Sequence, residues 1–124
     1  CHSMPSGARG VDLDERPEII IGDRFGTSCA PDITTAVAEI FAGLGYRTGC
    51  NRPYAGGYIT ELYGRPAEGV HVLQIEISRA LYMDEARCLK GPAFERVRHH
   101  MAAFAARLAA AIAPRGFPLA EAAE

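Results

Sequence analysis

Apolar residues recur along the first half of the chain with the spacings of a strand followed by a helix. The apolar run within residues 18–23 predicts a short buried strand with a turn after it. Pro31 and Asp32 suit the first turn of a helix, because proline presets φ and a carboxylate interacts favourably with the helix dipole. Apolar side chains then follow at intervals of three and four, at Ile33, Val37, Ile40, Phe41 and Leu44. The pattern predicts a helix of about three turns that ends at Gly43 or Gly45.

The second half of the chain repeats this alternation. Residues 46–50 are a candidate strand, residues 58–63 one or two helical turns, and residues 70–79 a largely buried strand. A loop through residue 92 precedes the longest helix, whose apolar stripe is Phe94, Val97, Met101, Phe104, Leu108 and Ile112. Residues 1–17 are predicted to form a loop, and the tail after Pro114 to be frayed. The order of elements predicts an α/β fold with a mostly parallel sheet and flanking helices.

A carboxylate lies near the end of the most apolar strand. By the two-residue period of a strand, Gln74, Glu76 and Ser78 share one face, and the other face carries Leu73, Ile75, Ile77 and Arg79. In open α/β sheets, ligands bind at the carboxyl ends of strands. An ionised Glu76 would be costly to bury alone, so two interpretations remain open. Glu76 either pairs with a neighbouring arginine, or acts as a general base; the available arginines are Arg24, Arg52 and Arg79.

Composition bounds the class of protein. At 124 residues and 13.3 kDa, with 48% hydrophobic residues, residues 1–124 are expected to form a single domain. The formal charge of −2 lacks the basic excess of nucleic-acid binders, and no apolar stretch approaches the ~20 residues that span a membrane. The four cysteines include no CxxC pair, which favours reduced thiols and a cytoplasmic location. Because the chain opens at Cys1 without a methionine, we expect it to be part of a longer protein.

Histidines offer a second kind of chemistry. His2 lies in a turn-rich segment that is predicted to follow a strand, where a metal ligand and an ordinary surface residue are both possible. His71, His99 and His100 are weaker candidates, and the last two are expected on a solvated helix face beside Arg96 and Arg98.

The segment Asn51-Arg52-Pro53-Tyr54-Ala55-Gly56-Gly57-Tyr58 is more distinctive than any single residue. Paired glycines let a backbone approach a ligand, while an arginine offers a planar fork for a carboxylate and a tyrosine adds a directional hydroxyl. A purely structural turn explains the same pattern. Arg24, in Gly22-Asp23-Arg24-Phe25-Gly26, has the same two interpretations.

Four blocks of sequence together resemble the N-formylglutamate amidohydrolase (N-formylglutamate deformylase) family. They are Cys1-His2-Ser3-Met4-Pro5-Ser6, Gly22-Asp23-Arg24-Phe25-Gly26-Thr27-Ser28, Asn51-Arg52-Pro53-Tyr54-Ala55-Gly56-Gly57-Tyr58-Ile59-Thr60 and Gln74-Ile75-Glu76-Ile77-Ser78-Arg79-Ala80-Leu81-Tyr82-Met83. Four blocks in the same order are more specific than one motif. Ser78 stands where asparagine is more usual in the last block.

The resemblance implies a zinc-dependent, or at least divalent-metal-dependent, hydrolase with a carboxypeptidase-like (phosphorylase/hydrolase-like) α/β fold. Such an enzyme cleaves the small molecule N-formyl-L-glutamate to formate and L-glutamate at the end of a histidine-degradation route. His2 would then be a metal ligand and Glu76 the base that takes a proton from the attacking water. The side chains expected to bind the two substrate carboxylates are Arg24, Arg52, Tyr54, Tyr58 and Arg79.

The resemblance also implies that residues 1–124 are the C-terminal portion of such a hydrolase. Because a catalytic zinc usually has three protein ligands, the missing N-terminal half is expected to be needed for the full metal site. Two alternatives stay open. One is a related hydrolase of another N-acyl amino acid or small peptide, and the other is a non-catalytic remnant that binds an acidic ligand through the same arginines.

Overall fold

A mixed four-stranded sheet lies at the centre of the protein, of which the computed structural model describes residues 1–7 and 16–113. Its strands are β1 (His2–Met4), β2 (Ile19–Gly22), β3 (Thr48–Cys50) and β4 (Gln74–Ser78), in the order β1-β4-β2-β3. The pairs β1–β4 and β2–β3 are parallel, whereas β2 and β4 are antiparallel. The expected α/β architecture with a mostly parallel sheet is therefore confirmed, with one antiparallel pairing at its centre.

In the described part of the chain, three α-helices lie where the sequence pattern predicts them. They are α1 (Pro31–Gly43), α2 (Tyr58–Tyr63) and α3 (Phe94–Ile112). Proline occupies the first turn of α1, as predicted, and Gly45 adopts a left-handed φ of 89° just beyond its end. No helix in the described ranges is long and apolar enough to cross a membrane.

The hydrophobic core lies between one face of the sheet and two helices. Ile19, Ile21 and Ile75 point from the sheet toward α1 and α3, and we call this side of the sheet the helix face. The rings of Phe41 in α1 and Phe104 in α3 stack with centroids 4.3 Å apart. This packing explains the middle of both apolar stripes, because Val37 and Phe41 of α1 and Phe104 of α3 belong to the same core cluster as the buried isoleucines.

The opposite face of the sheet carries the candidate chemistry, and we call it the Glu76 face. Strand register places Glu76 beside His2 of β1 and beside Ile20 of β2. Side chains directly opposite in neighbouring strands point to the same side, so all three lie on this face. Glu76 and Ile20 are both buried, at 5% and 2% exposure. The predicted alternation of polar and apolar side chains along this strand is thus present.

Two strand predictions need correction. The predicted loop over residues 1–17 contains β1, because His2–Met4 pairs in parallel with β4; residues 8–15 of that loop lie outside the described ranges. The predicted strand over residues 70–79 is shorter, spanning Gln74–Ser78. Val70 bridges Arg65 instead, and the Val72 amide donates to Ser28, so the first residues of the apolar run bond to loops.

The remaining predictions differ in outcome, and one falls outside the described part of the chain. The predicted loop before α3 contains a short hairpin of β5 (Met83–Asp84) and β6 (Leu89–Lys90). His99 is exposed as expected, but His100 is half-buried, with Nδ1 2.8 Å from the Tyr46 hydroxyl. The frayed tail after Pro114 lies outside the described residues. The cysteines are free thiols, in agreement with the prediction.

Candidate active site

The Glu76 carboxylate is buried with polar partners from two strands. Gln74 Nε2 donates a hydrogen bond of 2.7 Å to Glu76 Oε1, and His2 Nδ1 lies 3.3 Å from the same oxygen. Among the described residues, Glu76 therefore contacts an amide and an imidazole, and not the neighbouring arginine that the sequence left as one possible partner. The cost of burying the carboxylate is offset by an amide and an imidazole rather than by a fixed positive charge.

Gln74 also connects Glu76 to the glycine loop, which we define as residues 51–57. The Gly57 amide donates to Gln74 Oε1 at 2.9 Å, while Gln74 Nε2 donates to Glu76. Sequence reasoning placed Gln74 on the correct face but gave it no function. The available signal was its position two residues before Glu76, which in a strand puts both side chains on one face.

Close backbone packing brings the glycine loop onto the Glu76 face. A Cβ atom on Gly22 would lie 2.7 Å from the carbonyl carbon of Ala55, so a larger residue at Gly22 would collide with the loop. The Arg24 amide donates to the Ala55 carbonyl at 2.7 Å. Since Gly22 pairs with Gln74, the loop crosses the sheet next to Glu76.

Asp23 and Asn51 join the Arg24 loop, which we define as residues 23–30 between β2 and α1, to the glycine loop. Asn51 Nδ2 donates to Asp23 Oδ1 at 2.8 Å, and the Asp23 amide donates back to Asn51 Oδ1 at 3.1 Å. Burial alone would raise the pKa of Asp23, but hydrogen bonds from Asn51, the Gly26 amide and Thr34 outweigh it and hold that pKa below its usual value. Asp23 therefore stays ionised near neutral pH and fixes the start of both arginine-bearing loops.

Arg24 is drawn toward the glycine loop and α2. Its backbone has a left-handed φ of 53°, an unusual conformation for a residue with a side chain. Nη1 donates to the Gly56 carbonyl at 3.4 Å, and Nη2 lies 3.4 Å from Glu61 Oε2. The guanidinium is thus held at the edge of the candidate site by one carbonyl and one exposed carboxylate.

The other predicted substrate-binding residues of the glycine loop reach solvent. Arg52 follows Asn51 directly and is exposed, as is Tyr58 at the start of α2. Tyr54 is 37% exposed and lines a cavity of about 620 Å³. The cavity is also lined by residues of the Glu76 face and its surroundings, among them Met4, Ile20, Pro53, Ser78 and Leu81. The loop therefore places Tyr54 beside this cavity, whereas Arg52 and Glu76 are not among the residues that line it.

Arg79 differs from the other candidates in its location. Its Nε donates to Ser3 Oγ at 3.0 Å, and Ser3 Oγ lies 2.7 Å from the Tyr82 hydroxyl. Ser3 pairs with Ile77, so it points away from the Glu76 face. The structure does not bring Arg79 together with Glu76.

His2 is the histidine that the structure brings to Glu76. A carboxylate on one ring nitrogen is the arrangement that orients metal-bound imidazoles, and it leaves the other nitrogen for the ion. His71, by contrast, accepts a hydrogen bond from the Ala30 amide at the start of α1. The described residues contain no group of three or more metal-ligating side chains. His2 is therefore suited to be one ligand of a metal ion, and the described residues do not supply the two further ligands that a catalytic zinc usually has.

Comparison with known proteins identifies the family of the chain. The family model of N-formylglutamate amidohydrolase matches residues 1–83, the part that contains His2, both loops and Glu76. N-formylglutamate deformylase of Pseudomonas aeruginosa is 36% identical over 85 residues, which cover 68% of this chain and 32% of the relative. The enzyme of that name from Pseudomonas putida is 34% identical over the same shares.

A solved structure extends the similarity to nearly the whole chain. The crystal structure of N-formylglutamate amidohydrolase from Ralstonia eutropha JMP134 superposes with a TM-score of 0.82 at 29% identity, covering 93% of this chain and 42% of that one. The chain spans about a third of the length of the two Pseudomonas relatives. On the family match and these relatives, the chain belongs to the N-formylglutamate amidohydrolase family.

Proposed function

We propose that this chain forms part of a metal-dependent hydrolase that cleaves N-formyl-L-glutamate to formate and L-glutamate, as the last step of histidine degradation. The observation that carries the proposal is the buried Glu76 beside His2, with an arginine-bearing loop packed against the same sheet face. The family membership and the names of the relatives support the substrate. We also propose that the fold is carboxypeptidase-like, and the two helices that pack on one face of the sheet are consistent with it.

In the proposed reaction, Glu76 moves the proton. When bound, Zn²⁺ or another divalent ion would polarise the formyl carbonyl and make water more acidic. Glu76 takes a proton from the water that attacks the formyl carbon and delivers it to the amide nitrogen as the C–N bond breaks. The oxygen of the water thus ends in formate, and one of its protons ends on the amino group of glutamate. His2 would hold the ion through one imidazole nitrogen, since its other nitrogen, Nδ1, lies 3.3 Å from Glu76 Oε1.

Arginines in the two loops would bind the substrate's carboxylates. Arg24 and Arg52 each follow a residue of the Asp23–Asn51 pair, so their backbones start from a fixed position. Tyr54 and Tyr58 would add hydroxyl donors from the same loop and the helix after it. Arg79 remains in the proposed set, although its contact with Ser3 gives it the weakest structural support.

The remainder of the site is proposed to come from further polypeptide. This chain covers about a third of its Pseudomonas relatives, and His2 alone cannot hold a catalytic zinc. We propose that residues 1–124 are the C-terminal portion of the hydrolase and that an N-terminal portion supplies the other ligands. We call the two together the assembled enzyme, and we propose that it acts in the cytoplasm.

The metal content of a His2 variant tests this proposal. We expect about one zinc per assembled enzyme and a clear loss of zinc in His2→Ala, because each ligand fixes both affinity and geometry. Elemental analysis after dialysis measures the occupancy. His99→Ala is the matched control, since His99 is an exposed histidine on α3 that contacts the Glu95 carbonyl.

Two outcomes would contradict the proposal. Stoichiometric zinc in His2→Ala would show that His2 is not a ligand. An assembled enzyme that binds no divalent ion, yet retains N-formyl-L-glutamate, would instead be a module that binds an acidic ligand without hydrolysing it.

A further inference from the structure

The Gln74 side chain makes hydrogen bonds with both the proposed base and the glycine loop. We infer that it is a positioning residue, which orients the Glu76 carboxylate and ties that orientation to the glycine loop. The inference rests on the proposed function, because it requires Glu76 to act as the base. Its evidence is the pair of hydrogen bonds made by a single half-buried amide, from Gly57 and to Glu76.

The two bonds define which way the amide faces. A backbone N–H can only donate, so the oxygen of Gln74 must face Gly57. The NH₂ group is then turned toward Glu76, where it finds a carboxylate that can only accept while ionised. Neither partner would be satisfied by the opposite orientation. The Gly57 amide thus selects the amide orientation in which Gln74 donates to Glu76.

The same contacts distinguish the two oxygens of Glu76. Gln74 and His2 both approach Oε1, at 2.7 Å and 3.3 Å. Fixing Oε1 restricts rotation of the carboxylate, so the direction of Oε2 is set as well. The geometry assigns Oε2 as the oxygen that accepts the proton from water, because neither of these two contacts uses it.

Gln74 also makes the orientation of Glu76 depend on the position of the glycine loop. Gly57 is the N-cap of α2, and Tyr58 is the first residue of that helix. A displacement of this backbone when a substrate binds at the glycine loop would move the partner of Gln74 Oε1. The carboxylate is therefore best aligned when the loop is seated on the sheet, which couples the position of the loop to that of the base.

A double-mutant cycle in the assembled enzyme tests the inference. We expect Gln74→Met to lower kcat for N-formyl-L-glutamate about tenfold, the effect of losing one hydrogen bond to a charged group, with unchanged zinc content. In a Glu76→Gln background, Gln74→Met should change kcat by less than about twofold, because residues that act through one another are not additive. Tyr46→Phe, which removes one half-buried hydrogen bond on the helix face, should leave kcat unchanged.

A second variant separates the two ends of Gln74 and does not depend on the fold of Gln74→Met. Gln74→Glu keeps an acceptor for the Gly57 amide but replaces the amide donor with a second carboxyl group, whose repulsion from Glu76 disturbs the orientation of the base. We expect it to retain the hydrogen-exchange protection of the Gly57 amide and still lose kcat. Gln74→Met should lose both.

The outcomes that overturn the inference are distinct. A normal kcat in Gln74→Met or Gln74→Glu would show that Gln74 does not position Glu76. A further tenfold loss in the Glu76→Gln background shows that Gln74 acts on the structure at large, while the proposed function stands. Near-normal turnover by Glu76→Gln alone rejects both the base and the inference built on it.

Discussion

Replacing Glu76 with glutamine should lower kcat of the assembled enzyme for N-formyl-L-glutamate by at least ~10²-fold, as loss of a general base does. Glutamine has nearly the same shape, so it can occupy the buried position between Gln74 and His2. It cannot accept a proton at neutral pH. We therefore expect the fold and the bound zinc to be retained while turnover is lost, as measured by steady-state kinetics, circular dichroism and metal analysis.

Glu39→Gln is the matched control for this prediction. Glu39 is exposed on α1, which packs against the helix face, so its replacement should leave kcat unchanged. Turnover by Glu76→Gln within a few-fold of the wild type would reject Glu76 as the base. Glu76 would then be a structural residue that pairs with His2.

Replacing Arg52 with lysine should reduce kcat/KM for N-formyl-L-glutamate. The expected loss corresponds to a rise of roughly 1.5–3 kcal/mol in activation free energy, the scale of a charge-assisted hydrogen bond. Lysine keeps the charge but loses the planar fork that binds a carboxylate through two bonds. If Arg52 holds the γ-carboxylate, kcat/KM for N-formyl-L-glutamine should change little, because that substrate has a neutral side chain.

The comparison of the two substrates decides the role of Arg52. Arg107→Lys, a change at an exposed position on α3, is the control and should alter neither kcat/KM. An equal loss for both substrates would place Arg52 on the shared α-carboxylate or in support of the loop. No loss for either would make the glycine loop an ordinary structural turn.

The sequence was most informative where a repeating pattern meets a buried surface. The spacing of Val37 and Phe41, and of Val97 and Phe104, predicts α1 and α3, because each helix buries that stripe against the sheet. Alternation in β4 likewise predicts that Glu76 shares a face with Gln74. In these elements, the side chains alone determine which surface faces the core.

The sequence was least informative where partners are distant along the chain. Strand β1 is three residues long, and its pairing with β4 joins residues more than seventy positions apart, so no local pattern reveals it. The predicted strand over residues 70–79 begins late for a related reason, since the Val72 amide bonds to Ser28 instead of a strand. Apolar content alone does not identify the hydrogen-bond partner.

The candidate active site shows the same contrast between residues that a local pattern reveals and residues whose partners are distant along the chain. The residues of the glycine loop are evident from their types, but the contact that joins the loop to the base is made by Gln74, whose role depends on the position of the Gly57 amide. Asn51 is similar, because its function lies in the hydrogen bonds with Asp23. Arg79 is adjacent to the Glu76 strand in sequence, yet the geometry directs it to Ser3.

The products that the assembled, zinc-loaded enzyme forms from N-formyl-L-glutamate provide the most direct test of the account. Formate and L-glutamate should appear in equal amounts, at a rate that falls when a chelator removes the metal and recovers when zinc is restored. Release of neither product, or faster cleavage of another N-acyl amino acid than of N-formyl-L-glutamate, would contradict it.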